Sequence, residues 1–276
     1  MLRKICQTLA FMSLLPILGC SQEQAGLGRS TLDRINSTHK LRVGYIVFPP
    51  TVTKDPNSGE LRGHHVAAIR EIARLSNWQL EFVETDWSTF PAGLAAGRFD
   101  VSIAPTFVTI PRAEAVAFTR PLFFAGNSAL VRKTDNRFSS IETLDREGIT
   151  IAVTQGEAGH EYAKANFKKA KLLVFSGSDQ SLAFQNVLTG RADVALGDAY
   201  VTAQFAKQHE DAVRDLFATK PYNLTPVSWA VRPGDLVFLA FLNSSLDALD
   251  YQGRLQEFES DAGAHWLHLK KDWEQR

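Results

Sequence analysis

Apolar positions along this chain fall into blocks whose period switches between two and roughly three and a half. Leu41–Phe48, LRVGYIVF, alternates and is rich in β-formers, which predicts a first strand. The following PPTVTKDPNSGELRG is dense in Pro, Asn and Gly and reads as turns. Across His65–Trp78, Val66, Ile69, Ile72 and Ala73 fall on one side of an amphipathic helix. Leu80–Thr85 predicts a second strand. Ser88 can cap a helix running to about Ala96, which Gly97 would end, and FDVSIAP predicts a third strand. Strand–helix–strand–helix–strand is the order of a parallel sheet with crossover helices.

The order then restarts. Ala129–Lys133 and Ile149–Gly156 predict strands, His160–Ala170 a helix and Lys171–Phe175 a strand. Asp179–Leu188 predicts a helix with Asp179 or Ser181 as its cap, closed by Gly190, and Ala192–Asp198 a further strand. One phrase occurs twice, GRFDVSIAP from Gly97 and GRADVALGD from Gly190. A helix-ending glycine followed by a buried strand, at the same place in both series, predicts two similar α/β lobes. Ligands of open parallel sheets bind beyond the carboxyl ends of the strands. Pro105 and Asp198 end the two copies, so facing lobes would set them across one cleft. Asp198 then reads either as the cap of a helix over AYVTAQFAK or as a cleft carboxylate for a cation.

Charge narrows the function. The 276 residues are 45% hydrophobic and 22% charged, and 30 basic residues balance 30 acidic ones, so no global bias points to nucleic acid. At the start, Arg3 and Lys4 precede a mostly apolar Ile5–Leu18, too short to span a bilayer comfortably, and then ILGC, Ile17–Cys20. This resembles a bacterial lipoprotein signal, residues 1–19, cleaved so that Cys20 receives lipid; the alternative is an ordinary secretory signal cut at a nearby small residue. Cys6 would leave with the signal, and Cys20, left as the one mature cysteine, allows no internal disulfide. Residues 20–37 read as a polar tether. No GxxxxGK loop occurs, and His64, His65, His160, His209, His265 and His268 lack metal-ligand spacing. Neither a cofactor nor a metal is expected.

Taken in order, LRVGY…FPP, DWSTFPAGLAAGRFDVSIA, PRAEAVAFTRPLFF, GITIAVTQG and GRADVALGD resemble the bacterial periplasmic solute-binding proteins of the polar amino acid type, across Lys40–Trp266. The resemblance implies a two-lobed type II binding-protein fold, α/β, with two parallel-rich sheets joined by two hinge strands. Lobe 1 would hold residues 38–123 and 227–276, and lobe 2 residues 127–222. It also implies a monomer in the periplasm or at the cell surface, lipid-anchored to a membrane, passing a small ligand to an ABC permease or a membrane receptor. By the same resemblance Arg112 clamps a ligand carboxylate from one lobe and Asp198 takes its ammonium from the other; a guanidinium fork suits the first task. Read without the resemblance, Arg112 is a solvated arginine in a first helical turn. Phe48 and Trp87 match the aromatics that flank a ligand side chain, Trp87 on a loop at the cleft edge.

The chain departs from that pattern at several points. Phe107 stands where a Ser or Thr is usual, and Pro105, which has no N–H, where a free donor is usual; Thr106 or Thr109 can substitute. Gly156-Glu157-Ala158 replaces Gly-Thr-Thr at a helix start: its amides suit an anion, but Glu157 opposes one. No acid lies in GYIVFPP, which disfavours a basic amino acid. The alternatives are a ligand-presenting sensor and an enzyme on the same fold: Gly156–Val174 and the HWL at His265–Leu267 resemble cyclohexadienyl dehydratase, with Glu161 or else Glu157 as its general acid.

Overall fold

A computed structural model describes residues 30–263. Cys20, the signal and His265–Leu267 lie outside the described residues. The described residues open with α1 (Thr31–Thr38), β1 (Lys40–Tyr45) and the small hairpin of β2 (Thr53–Lys54) and β3 (Leu61–Arg62). It continues through α2 (His64–Leu75), β4 (Gln79–Glu84), α3 (Phe90–Ala95), β5 (Val101–Phe107), α4 (Ile110–Ala115), β6 (Ala117–Phe118) and the long β7 (Phe123–Arg132). The second series is β8 (Thr150–Thr154), α5 (Ala158–Asn166), β9 (Lys171–Phe175), α6 (Ser181–Leu188), β10 (Val194–Asp198), α7 (Ala199–Gln208) and β11 (Val213–Asp215). The long β12 (Tyr222–Val231), α8 (Leu236–Tyr251) and α9 (Arg254–Asp261) close the described chain.

Apart from the β2–β3 hairpin, the strands form one mixed sheet whose main path is β4-β1-β5-β12-β7-β10-β8-β9, with β11 paired to β7 and β6 to β12. Pairing is parallel within β4-β1-β5 and within β10-β8-β9, and antiparallel where β12 and β7 are involved. The two expected parallel sheets therefore merge through their connecting strands. Phe123–Ala125 pairs with Thr225–Val227, beyond which β7 runs along β10 and β12 along β5. Each long strand starts in one lobe and finishes in the other.

Each lobe has its own core. Trp229, Ile69, Leu242 and Leu246 are fully buried between α2, α8 and the first half of the sheet. Ile151, Val153 and Leu196 fill one side of the second half, and Phe184, Val187 and Ala195 the other. Burial of large apolar side chains in this way supplies about 25 cal/mol per Å² of area removed from water.

The repeated phrase has a physical reason. Gly97 (φ 65°) and Gly190 (φ 72°) each end a helix in the left-handed region that glycine enters without penalty. Three residues on, Asp100 and Asp193 each lock onto the start of the neighbouring parallel strand. Asp100 Oδ2 accepts the Arg42 N–H at 2.9 Å, and Asp193 Oδ2 the Thr150 N–H at 2.9 Å. The backbone N–H of each aspartate returns a bond to the carbonyl of the same partner, again at 2.9 Å in both lobes. Sequence and geometry thus repeat together.

Two local expectations need correction. The tether proposed for residues 20–37 is structured in its second half. Ser30 caps α1 in a reciprocal box with Asp33, and Ile35 on α1 is wholly buried against α8. This mostly polar helix offers few apolar positions to read: Ile35 and the half-buried Leu32 carry its docking. Ser88 does not cap α3: Thr89 precedes the helix without a side-chain cap, and in the turn ahead of it Asp86 Oδ1 accepts the Ser88 and Thr89 N–H groups at 2.9 Å each.

Candidate functional site

A small cavity, with about 20 Å³ of open space in this closed form, lies between the lobes at the carboxyl ends of β5 and β10. Phe48, Trp87, Pro105, Phe107 and Ala158 form its apolar wall, and Arg112, Asn127, Glu157, Gln180 and Asp198 its polar wall. Six of the seven proposed ligand residues meet there. Thr106 does not: successive residues of a strand face opposite ways, so Pro105 and Phe107 line the cavity while Thr106 is buried and donates to the Ala104 carbonyl at 3.1 Å. Asn127 and Gln180 escaped the sequence reading. Asn127 lies inside a connecting strand, and Gln180 precedes α6, where only helix capping was considered.

The aromatic pair is more enclosed than a cleft edge would make it. Trp87 and Phe48 are both buried, with ring centroids 5.9 Å apart and planes at 89°, an edge-to-face contact. Ile46 and Ala104 back them, and Val201 packs against them from α7 in the opposite lobe. The Trp87 Nε1 is buried without a hydrogen-bond partner.

Arg112 sits in the first turn of α4, where Thr109 Oγ1 accepts its backbone N–H at 3.4 Å. Its side chain is buried and each of its three nitrogens has a partner within the protein. Nη1 donates to the Phe107 carbonyl at 3.0 Å, and Nη2 to the Gly156 carbonyl at 2.6 Å. Nε pairs with Glu161 Oε1 at 3.2 Å, while Glu161 Oε2 accepts from the Thr109 hydroxyl at 3.2 Å. Phe107 belongs to one lobe and Gly156 with Glu161 to the other, so Arg112 bridges the closed gap. Burial pulls its pKa below the usual guanidinium value, partly offset by the charges of Glu161 and Glu157. Arg112 and Glu161 also border an outer groove with Pro111, His160 and Lys164. Glu161 therefore lies outside the cavity.

The cavity's own acids are Glu157 and Asp198. Asp198 does cap a helix: its Oδ1 accepts the N–H groups of Tyr200 at 2.8 Å and Val201 at 3.2 Å. It also lines the cavity, so the two readings of this residue coexist. Burial pushes its pKa up to about 7, against those two hydrogen bonds. Glu157, the residue before α5, makes no side-chain capping bond, and its Oε1 is buried without a partner. Burial and then the nearby Asp198 charge raise its pKa well above the carboxylate range, opposed by Gln180 and Arg112. Gln180 Oε1 accepts the Asp198 N–H at 3.0 Å and so fixes the amide beside both acids. Among the described residues no group of His, Cys, Asp and Glu has the arrangement of a metal site, and no helix is long and apolar enough to cross a membrane.

Comparison with known proteins places this geometry among relatives. The family model described as bacterial extracellular solute-binding proteins, family 3, matches residues 41–263. A Haemophilus influenzae protein named "Probable amino-acid ABC transporter-binding protein" is 29% identical over 231 residues, covering 82% of this chain and 85% of its own length. The cyclohexadienyl dehydratase of Pseudomonas aeruginosa is 24% identical over 269 residues, covering 97% of this chain and 96% of the enzyme. In three dimensions, an ancestral amino acid-binding protein described as a precursor of cyclohexadienyl dehydratase superposes with a TM-score of 0.74 at 30% identity, covering 84% of this chain and 98% of that one.

Proposed function

This chain belongs to the bacterial extracellular solute-binding proteins of family 3, and from that premise we propose that it captures a small nitrogenous solute, an amino acid or a relative of one, and delivers it to an ABC importer. The observation that carries this reading is the interlobe cavity, walled by residues of both lobes. Neither lobe alone encloses a guest, so binding and closure are one event. In this reading Asp198 receives the ligand's cationic nitrogen and the Phe48–Trp87 corner packs its apolar part. Cys20 holds the protein to a membrane through lipid, which keeps the solute-loaded body near its permease.

A thermal-shift screen of amino acids, amines and small carboxylates tests the capture. A true ligand raises the melting temperature by mass action, by an increment that grows with concentration. If no member of such a screen moves it, the reading falls. Membrane fractionation of the Cys20→Ser variant tests the anchor, with release into the soluble fraction expected.

The dehydratase alternative is favoured by one observation, the buried Glu157 carboxyl beside the cavity, whose pKa burial raises in the direction a general acid requires. Charge argues against it. Prephenate is a dicarboxylate, whereas this cavity carries two acids and an arginine whose charge Glu161 already meets. Incubation with prephenate or arogenate, with detection of the aromatic product, separates enzyme from binder.

A further inference from the structure

The groups around the cavity divide unequally between the two ends of an amino acid. At the positions that would receive a carboxylate, Phe107 and Ala158 bring no hydroxyl, Pro105 brings no N–H, and Glu157 brings an acid. Of the five N–H donors of Arg112, three are committed to Phe107, Gly156 and Glu161. At the other end, Asp198 is present and Glu157 stands close enough for the two acids to repel one another. The Oε1 of Glu157 has no partner although it is buried. Buried acceptors without partners are costly, and a second acid beside the first doubles the demand for a cation.

We propose that the cavity takes a small organic cation lacking a carboxylate, an amine, amidine or guanidine whose N–H groups bridge Glu157 and Asp198, while Arg112 serves as the latch that joins the lobes. This rests on the solute-binding reading and narrows it. Glu157 supplies the acid that the GYIVFPP segment lacks, so a basic ligand becomes the favoured one. Phe48, Trp87 and Phe107 provide apolar and aromatic surface for such a cation's body, and ring faces attract cations further. Trp87 lines the cavity and its Nε1 is buried without a partner, so an uncharged hydroxyl or amide oxygen on the ligand is the acceptor that would suit it. Amino amides and amino alcohols therefore fit better than bare alkylamines. A cation placed between the two acids favours the ionised carboxylates, against the burial that raises both pKa values.

Matched pairs differing only at the carboxylate test this: agmatine and argininamide against arginine, cadaverine and lysinamide against lysine, and tyramine against tyrosine. Affinities are measured by isothermal titration at pH 8 on the full-length mature protein. At least one carboxylate-free member is expected to bind about tenfold or more tightly than its parent, since the parent must bury an anion beside Glu157. Glu157→Gln and Asp198→Asn, which keep size and the helix cap, should each weaken it about 10- to 100-fold, the worth of a charge-assisted hydrogen bond. Their unliganded melting curves verify folding, and Glu157→Asp should recover part of the loss. Parent amino acids binding more tightly than their carboxylate-free partners would overturn the inference and leave the solute-binding reading standing. No binding by any carboxylate-free member would overturn it too. Turnover of prephenate would remove the reading beneath it.

Discussion

Arg112 on one lobe donates from Nη2 to the Gly156 carbonyl of the other at 2.6 Å. Its Nε meets Glu161, also across the gap, so one side chain fastens the closed form twice. Arg112→Ala should uncouple the lobes and leave the Gly156 carbonyl and the Glu161 carboxylate unmatched. A loss of about 1–3 kcal/mol in urea unfolding is expected. Small-angle scattering should report a larger radius of gyration for the unliganded variant than for the parent. Arg112→Lys should not restore either, because an ammonium cannot reach three acceptors in a planar fork.

Gly156 has φ of 79°, and a Cβ built on it would lie 2.8 Å from the backbone of Trp87 and Ser88 on the facing lobe. Gly156→Ala should therefore do two things. The left-handed backbone would cost about 1 kcal/mol or more. The methyl would strike main chain that cannot turn aside, so closure, and with it ligand affinity, should be lost while each lobe keeps its fold. Circular dichroism together with a binding titration checks both.

The pH dependence of stability carries a sign set by Asp198. Its pKa is raised from 3.8 unfolded to about 7 in the fold, so between those values the native state holds a proton that the unfolded chain has released. Stability in the ligand-free protein must then fall as pH rises from about 4 to about 7 and level off above. Glu157 acts in the same direction. His65, wholly buried on α2, has its pKa lowered well below 6.5, so it opposes the trend as pH drops through that value. Comparison of the parent with Asp198→Asn isolates the aspartate's share. The variant should lose less stability across pH 5 to 8, by denaturant midpoint, and a cationic ligand should raise the parent's melting temperature more at pH 8 than at pH 5.

The paired aspartates of the repeated phrase should differ in cost. Asp100 pairs with Arg34 and Arg42, and Asp193 with Arg132 and Arg137, but only 4% of the Asp100 side chain is exposed against 21% of Asp193. Asp100→Ala should cost about 3 kcal/mol or more, as for a buried pair broken on one side. Asp193→Ala should cost about 1–3 kcal/mol. Equal losses would show that exposure does not separate them.

Much of this was legible in the chain. Periodicity located β1, α2, β4, β5 and the strands and helices from β8 to β10 because each buries one face, though it left the long β12 and α8 unread, and the Gly-Arg-x-Asp-Val repeat marked two equivalent joints because a left-handed cap and a strand-locking carboxylate each need a particular side chain. Asp198 was found because a strand that ends in an acid is a local pattern. Composition and motif order settled the fold class for the same reason.

What the sequence could not decide is which partners those side chains meet. α1 looked like tether because its docking rests on two apolar residues, Leu32 and Ile35, and the helix packs against α8, two hundred residues on. Arg112 read as a free clamp, and only the closed lobes reveal that its donors are engaged by Gly156 and Glu161. Glu157 and Asp198 lie forty-one positions apart, yet the sheet brings their carboxyls into one buried space, and burial alters their charge as no linear pattern can announce. Local geometry depends on neighbours along the chain; electrostatics and hydrogen-bond satisfaction depend on neighbours in space, and these exist only once the two halves have folded and closed.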